Sequence, residues 1–232
     1  YRSSAASDVY KRQMGTSSTY FFQPGVPKRT NPLSPQGTRQ LTRKFADYHA
    51  KALDDIDAIY FTEERFDDFY PGKGSTYPDL HGAVGILFEQ ASARGNIQES
   101  PQGDVYFWKT IRNQVATSIS SLRATRDLRL PLLENKRQAY EEAEQMALER
   151  DVRSYAFSAG DDHDRLKHFA DLLTLHDIDF LWLPEGGMVD LVNGESVELV
   201  ERTLIVPTVQ PEYRMIKTIV YRPTTFEESI FY

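Results

Sequence analysis

Cysteine is missing from this chain of 232 residues. Disulfide bonds, thiol catalysis and zinc sites built on thiolates are therefore excluded, although the absence does not fix the cellular compartment. A surplus of basic residues is missing as well, because 27 Lys and Arg stand against 34 Asp and Glu, for a net charge of −7. Nucleic-acid-binding domains carry the opposite balance, so we expect no nucleic-acid partner.

Long apolar stretches are the third absence. No run approaches the roughly 20 apolar residues of a membrane-spanning helix, so the sequence predicts no membrane span. What the chain does have is the composition of a folded protein, with 40% hydrophobic and 12% aromatic residues. A chain of this length forms one large domain or two small ones.

The first thirteen residues, Tyr1–Gln13, are unlike natural protein sequence. Residues 3–13 resemble the in-frame translation of an adapter used to prepare sequencing libraries. A segment of this kind does not belong to the natural protein and does not contribute to its fold. We therefore expect an artefact over residues 1–13, a natural protein that starts upstream of Met14, and a chain that is cut at both ends.

The stretch from Gly72 to Gly95 contains a short apolar run, residues 83–88, that stops at Glu89. The run lacks a helical period and is bounded by glycine, so it predicts a strand buried on both faces. A carboxylate at the end of such a strand has two explanations. It caps a loop or pairs with Arg94, or it is a catalytic acid/base, because burial disfavours the ionised form of a carboxyl group.

Upstream of this stretch, Ser34 and Pro35 predict the start of a helix, as N-cap and first helical residue. His49 lies on that helix. We interpret it as a partly exposed residue rather than a metal ligand, because no second ligand follows at i+4. The segment 61–70 alternates acids with aromatics and predicts a packed surface loop. We interpret His81 as structural, since a zinc site needs three convergent ligands.

A long helix is predicted after residue 103, with one apolar face. The residues on that face are Ile111, Val115, Ile119 and Leu122. Their spacing of three to four residues predicts that this face packs on the sheet that holds Glu89.

A second helix, predicted over residues 132–150, is rich in charged residues. This composition is typical of a solvated helix, and we expect it to lead out of the first domain. The domain boundary is predicted at 151–153. The first domain then covers residues 14–150 and the second covers 151–232.

The second domain begins with a strand–helix–strand unit. Its strands, 155–157 and 180–183, predict parallel pairing. Two further β-runs flank Asn193 and Gly194, a pair that favours a type I′ hairpin. We interpret the acidic residues at 161–164 as groups that complement a helix dipole rather than as a metal site.

Three motifs carry a resemblance to a known family. They are FFQPG at 21–25, GKGSTYPD at 72–79 and GILFEQASARG at 85–95. With them, the chain resembles the C-terminal half of carboxypeptidase A-like zinc carboxypeptidases, and more closely the large bacterial members with a C-terminal amidotransferase-like domain. The resemblance covers residues 14–232. It implies an α/β fold, namely the C-terminal half of an α/β/α sandwich followed by a partial second α/β domain.

The resemblance also implies roles for three residues. Glu89 stands in a Phe-Glu pair whose glutamate is the general base of family members. Tyr70 best matches the mobile tyrosine that closes over the substrate, and Tyr77 is the second match, so both are candidate substrate-binding residues. The arginine that follows the glutamate at +2 in classical members is replaced here by Ala91.

Zinc is the implied cofactor of the parent protein, held by two His and one Glu. Related enzymes read Asp-Phe-His-Glu-Met-Gly where this chain has residues 10–15, so Arg12 takes the place of the third ligand. The other two ligands belong to upstream sequence in related enzymes. We therefore assign no metal ligand in this chain.

The expected function is that of a metallocarboxypeptidase fragment. The parent would hydrolyse C-terminal bonds of a peptide substrate with Glu89 as general base, and the fragment alone would be inactive. A non-catalytic peptide- or cell-wall-binding module on the same fold is the alternative, and a small-molecule amidohydrolase would differ only in substrate. Large family members are generally exported, which implies a periplasmic or secreted parent.

Overall fold

The computed structural model describes residues 20–64, 66, 68–91, 93, 95–100 and 103–220. It combines helices with several small sheets, which confirms the predicted α/β class. The predicted artefact at 1–13 lies outside the described residues, as does Arg94. The chain groups into two compact units that divide between Lys136 and Arg137, and each unit is described by itself.

The first unit contains a three-stranded sheet, a two-stranded sheet and several helices. Its strands are β1 (Tyr20–Phe22), β2 (Tyr60–Phe61), β3 (Phe88–Gln90), β4 (Ile97–Gln98) and β5 (Val105–Tyr106). Its helices are a 3₁₀ helix (Pro27–Arg29), α1 (Gln36–Asp54), α2 (Thr76–Leu80) and α3 (Phe107–Asp127), and the division falls inside α4 (Arg129–Leu148).

Strand β1 is the middle strand of the larger sheet, parallel to β2 and antiparallel to β3. Its three aromatic residues are all buried. Neighbouring strand residues point to opposite faces, so Tyr20 and Phe22 lie on one face and Phe21 on the other. Helices α1 and α3 cover the first face, where the Tyr20 hydroxyl lies 2.8 Å from Oγ1 of Thr117 in α3.

His49 of α1 belongs to the core of this unit. It is fully buried, so the prediction of a partly exposed residue was wrong. Its ring packs edge-on against Phe88, with 4.9 Å between centroids, and its Nδ1 lies 2.7 Å from the Ser120 hydroxyl. That hydroxyl donates to the Thr117 carbonyl, which assigns the imidazole hydrogen to Nδ1. Burial lowers the pKa of His49 to about 4, so the ring is neutral at pH 7.

The strand predicted over residues 83–88 does not form over most of that range, because β3 begins at Phe88. The segment before it is irregular, and side chains take up its backbone groups. The Gly85 N–H donates to Asp79 Oδ1 at 2.9 Å, and the Leu87 N–H donates to Gln23 Oε1 at 2.7 Å. A strand ladder is not needed to satisfy these groups, so the apolar run stays out of the sheet.

Helix α3 forms close to where the sequence predicts it, but the predicted buried face was wrong. The residues Ile111, Val115, Ile119 and Leu122 are between 44% and 71% exposed. The helix buries Thr117, Ser120 and Ala124 instead. Their small and hydroxyl-bearing side chains suit a core that contains the Tyr20 hydroxyl and the His49 imidazole, because buried polar groups need hydrogen-bond partners.

The second unit contains the rest of α4, a three-stranded sheet and a hairpin. Its further elements are β6 (Ser154–Phe157), α5 (His163–Leu175), β7 (Leu181–Trp182), β8 (Gly187–Asp190), β9 (Ser196–Leu199), β10 (Leu204–Pro207) and α6 (Tyr213–Val220).

The predicted parallel pairing of β6 and β7 was wrong. Strand β10 lies between them and runs antiparallel to both. This central strand is the most buried of the three, with Leu204 and Val206 in the core. Helix α5 packs on the sheet through Phe157 and Phe169, whose ring centroids are 4.7 Å apart.

Strands β8 and β9 form the hairpin that the sequence predicts around Asn193 and Gly194. The predicted type I′ turn was wrong, because that turn requires a positive φ at both residues and only Gly194 has one, at +85°. The Gly194 N–H donates to the Leu191 carbonyl at 2.9 Å, so a longer loop closes the hairpin.

The division inside α4 lies upstream of the boundary predicted at 151–153, which follows that helix. Within the described part of the chain, none of the helices combines the length and the apolar character that crossing a membrane requires.

Candidate functional site

Glu89 lies in the middle of β3, directly opposite Phe21 of β1, and is 8% exposed. Paired residues of neighbouring strands point to the same face, so the carboxylate shares a face with Phe21. The Phe21 ring packs against Phe61 and Phe66, at centroid distances of 5.2 and 5.0 Å. The structure therefore places this carboxylate on the face of the sheet that carries Phe21, on a backbone fixed by strand pairing.

The two neighbours of Glu89 fasten β3 to the helices on the opposite face. The Phe88 ring packs against Tyr20 and His49, at centroid distances of 5.9 and 4.9 Å. The Gln90 side chain accepts a hydrogen bond from Gln114 of α3 at 3.3 Å. These contacts fix the position of the strand, and with it the position of the Glu89 backbone.

Tyr70 stands apart from the sheet and is 62% exposed. Its ring lies over Gly72, where a Cβ atom would be 2.4 Å from Tyr70 Cε1. The Lys73 N–H donates to the Tyr70 carbonyl at 3.2 Å, which closes a tight turn. Glycine at position 72 therefore leaves space for an exposed aromatic ring above the turn.

Tyr77 lies in α2 and packs against His81, with 4.6 Å between ring centroids. Its carbonyl lies 2.9 Å from His81 Nδ1. A carbonyl oxygen only accepts, so the imidazole donates from Nδ1. This bond ties His81 to the end of α2, in the structural role that the sequence predicts.

A buried carboxyl pair, Asp68 and Asp79, was missed by sequence reasoning. Asp68 is 5% exposed, so the interpretation of its segment as a surface loop was wrong at this residue. Its Oδ1 accepts hydrogen bonds from the hydroxyls of Ser75 and Thr76, both at 2.9 Å. Burial raises the pKa of Asp68, and these hydrogen bonds oppose the rise.

Asp79, the second member of the pair, holds the loop that leads to β3. Burial raises its pKa to about 8, the negative charge of Asp68 adds to the rise, and the hydrogen bond from Gly85 opposes it. A Cβ on Gly85 would lie 2.0 Å from the Ser75 carbonyl oxygen, so only glycine fits there. The pair joins the glycine-rich turn to the segment before Glu89.

The sequence offered a partial signal for this pair. Asp68 and Asp79 flank the glycine-rich segment that also contains Ser75 and Thr76, whose hydroxyl groups are hydrogen-bond donors. No periodicity distinguishes Asp68 from the exposed acids that precede it. Asp68 is held by hydrogen bonds from residues seven and eight positions further along an irregular loop. Such contacts leave no periodic pattern in the sequence.

The described residues contain no group of three His, Asp or Glu side chains that could hold a metal ion. Of the acids at 161–164, Asp162 interacts with the start of α5. The Asp162 side chain accepts a hydrogen bond from the Arg165 N–H at 3.1 Å and caps α5. This interaction satisfies one of the backbone donors at the start of the helix.

Comparisons of this chain with models of protein families, with curated proteins and with solved structures found no match.

Proposed function

We propose that this chain is part of a zinc-dependent carboxypeptidase and that Glu89 is its general base. The observation that carries the proposal is the position of Glu89, a carboxylate 8% exposed on a paired strand within the motif GILFEQASARG. Functional groups on strands are held more accurately than groups on loops. A buried carboxylate at a fixed position suits a proton acceptor that must meet one particular water molecule.

The proposed reaction is hydrolysis of a C-terminal peptide bond. As the oxygen of a water molecule attacks the scissile carbonyl carbon, Glu89 accepts the proton that the water loses. Glu89 then passes this proton to the nitrogen atom of the leaving amino acid while the C–N bond breaks. No other reactant is consumed.

Tyr70 is the better candidate for the tyrosine that covers the substrate. Tyr70 is exposed, and its hydroxyl would donate a hydrogen bond to the substrate carboxylate or to the developing oxyanion. Tyr77 is less suited to this role, because its ring already packs against His81.

Zinc, when bound to the parent protein, would lower the pKa of a water molecule and polarise the scissile carbonyl. The described residues do not supply the three convergent side chains that such a site requires. The described residues therefore do not form the zinc site by themselves. The proposal assigns the ligands to sequence upstream of Met14 in the parent.

The genomic sequence upstream of Met14 tests the proposal directly. We expect a His-x-x-Glu motif there, followed about 100 residues later by His-Glu-Met-Gly, whose last two residues are Met14 and Gly15. Two histidines and a glutamate at this spacing form the zinc site of the proposed class. An upstream sequence without these residues would contradict the proposed class.

The purified chain by itself is expected to hold less than stoichiometric zinc and to leave peptides intact. The physical reason is that a zinc site needs at least three protein ligands. Elemental analysis after dialysis, together with a peptide hydrolysis assay, measures both properties. One tightly bound zinc ion per chain would overturn the assignment of the ligands to upstream sequence.

A binding module without catalysis is the second candidate, and a different observation favours it. Solvent-facing apolar residues of α3, among them Ile111, Val115 and Leu122, line a groove with Gln90, Ala91 and Ala93. Exposed apolar surfaces of this kind mark interaction sites. A binding module would retain its affinity for peptide when Glu89 is replaced by glutamine. The parent protein would then show no peptide hydrolysis with either glutamate or glutamine at position 89.

A further inference from the structure

The segment that leads into β3, residues 82–87, is irregular, and three side chains from elsewhere in the first unit hold its backbone. The first of them belongs to Asn135 of α4, which is buried. Its amide donates hydrogen bonds to the Gly82 carbonyl at 2.7 Å and to Thr38 Oγ1 at 2.9 Å. Asn135 therefore ties the start of the segment to α1.

Asp79 of α2 holds the middle of the segment. It is buried, and its Oδ1 accepts the hydrogen bond from the Gly85 N–H at 2.9 Å. A Cβ atom on Gly85 would lie no farther than 2.7 Å from three backbone atoms of Ser75, so the two backbones are in direct contact. Gly85 is therefore held by a hydrogen bond and by contact with the glycine-rich turn.

Gln23, which follows β1, holds the end of the segment. The pairing of β1 with β3 ends with Phe22 opposite Phe88, and the same register would place residue 23 opposite residue 87. At that position the side chain of Gln23 takes the place of its backbone, because Oε1 accepts the hydrogen bond from the Leu87 N–H at 2.7 Å. Gln23 is 1% exposed. This bond continues the attachment of β3 to β1 by one residue, two positions before Glu89.

The hydrogen bonds to the segment matter because β3 contains only three residues. The ladder with β1 therefore extends a single residue to either side of Glu89. The ends of short elements open locally at little cost in free energy. The segment before the strand thus determines how firmly the first residue of β3 is held.

We propose that Asp79 and Gln23 are positioning residues, which hold residues 85–87 and thereby fix the place of the Glu89 carboxylate. The inference rests on the proposed function, in which Glu89 is the general base. A general base acts only within hydrogen-bond reach of the proton that it accepts. A displacement of about 1 Å lowers the rate by as much as about 100-fold, even when the substituted residue is distant from the chemistry.

Hydrogen exchange of single amides in the chain itself provides the first test. Asp79→Leu removes the acceptor of the Gly85 N–H, and Gln23→Met removes that of the Leu87 N–H, both with little change in side-chain size. We expect exchange of the affected amide to become about 10-fold faster relative to the β1 amides, which report unfolding of the whole unit. Asp79→Asn keeps the acceptor and should keep the Gly85 amide protected.

Peptide hydrolysis by the parent protein provides the second test. Asp79→Leu and Gln23→Met should each lower kcat by roughly 10- to 100-fold and leave KM and zinc content unchanged, because neither side chain is assigned to the substrate or the metal. Asp79→Asn should restore most of the lost kcat. Asp47→Leu and Gln40→Met, at exposed positions of α1, are the matched controls and should keep the wild-type kcat.

The value of kcat is expressed per folded molecule, so that partial unfolding of a variant is not counted as a loss of kcat. The two variants test the same role from different elements, and if one of them does not fold, the other decides. Wild-type exchange of the Gly85 and Leu87 amides in the variants would overturn the positioning role, and so would faster exchange with an unchanged kcat.

Both of these results would leave the proposed function intact, provided that the wild-type parent hydrolyses peptide and Glu89→Gln does not. A wild-type parent without peptide hydrolysis would overturn the proposed function, and the positioning role with it.

Discussion

Replacing Glu89 by glutamine is expected to lower kcat for hydrolysis of C-terminal peptide bonds by roughly 10²–10⁴-fold in the parent protein. Glutamine has nearly the same shape, so the strand opposite Phe21 should keep its packing. Its amide oxygen does not take the proton that the attacking water loses. We therefore expect the chemical step to fail while zinc stays bound, as measured by peptide hydrolysis kinetics and elemental analysis of the same samples.

Glu99→Gln is the matched control for this experiment, because Glu99 is exposed and lies ten residues further along the chain. It removes the same charge and should leave kcat unchanged. An unchanged kcat in Glu89→Gln would exclude the general-base role. Loss of zinc together with activity would show that Glu89 acts through the metal site rather than as the proton acceptor.

Sequence patterns located much of the fold of the first unit, because its helices carry regular periodicity. Helix α1 begins at Gln36, next to the predicted start, and buries Leu41 and Phe45 as its spacing indicates. Glu89 is in a strand and buried, although the strand is shorter than predicted. These features depend on local spacing and on nearby glycines, which a single sequence displays.

The orientation of α3 could not be predicted from spacing, because hydrophobicity alone assigns its apolar side to the core. The core of this unit contains a hydroxyl at Tyr20 and an imidazole at His49, which bond to Thr117 and Ser120. The partners in these two hydrogen bonds are 97 and 71 residues apart in the chain. Hydrogen bonding over such distances leaves no periodic signal in the sequence.

The order of strands in the second unit could not be predicted from local sequence patterns either. A strand–helix–strand pattern predicts that β6 and β7 are neighbours, but the later strand β10 enters between them. Its buried residues Leu204 and Val206 gain more from the central position than from an edge, since a central strand buries more apolar area. Local analysis treats each pair of strands alone and does not weigh this competition.

The second large expected effect is a pH dependence of stability, and Asp79 is its source. Burial raises its pKa to about 8 in the folded protein, from an ordinary value of 3.8. A carboxyl group with a raised folded-state pKa contributes stability that is fully present below its unfolded pKa and is lost as the pH rises through the folded pKa. The first unit should therefore lose about 1.4 kcal/mol per pH unit through this group, from about pH 4 to about pH 8.

His49 determines the pH range in which this loss is visible. Its pKa is lowered to about 4 by burial, so the unfolded chain takes up a proton below about pH 6.5 that the folded chain does not. This uptake lowers stability toward acid and opposes the effect of Asp79 between about pH 4 and 6.5. Above that range His49 no longer opposes the effect of Asp79.

Asp79→Asn should flatten the decline in stability between pH 6.5 and 8, which we expect to reach about 2 kcal/mol in the wild type. Asparagine is neutral throughout, and its Oδ1 can still accept the Gly85 N–H. Urea-dependent hydrogen exchange of the β1 amides measures the free energy of unfolding of the first unit. Asp104→Asn, at an exposed position of the same unit, should keep the wild-type slope. A variant at position 79 with that same slope would show that Asp79 is already ionised at pH 6.5.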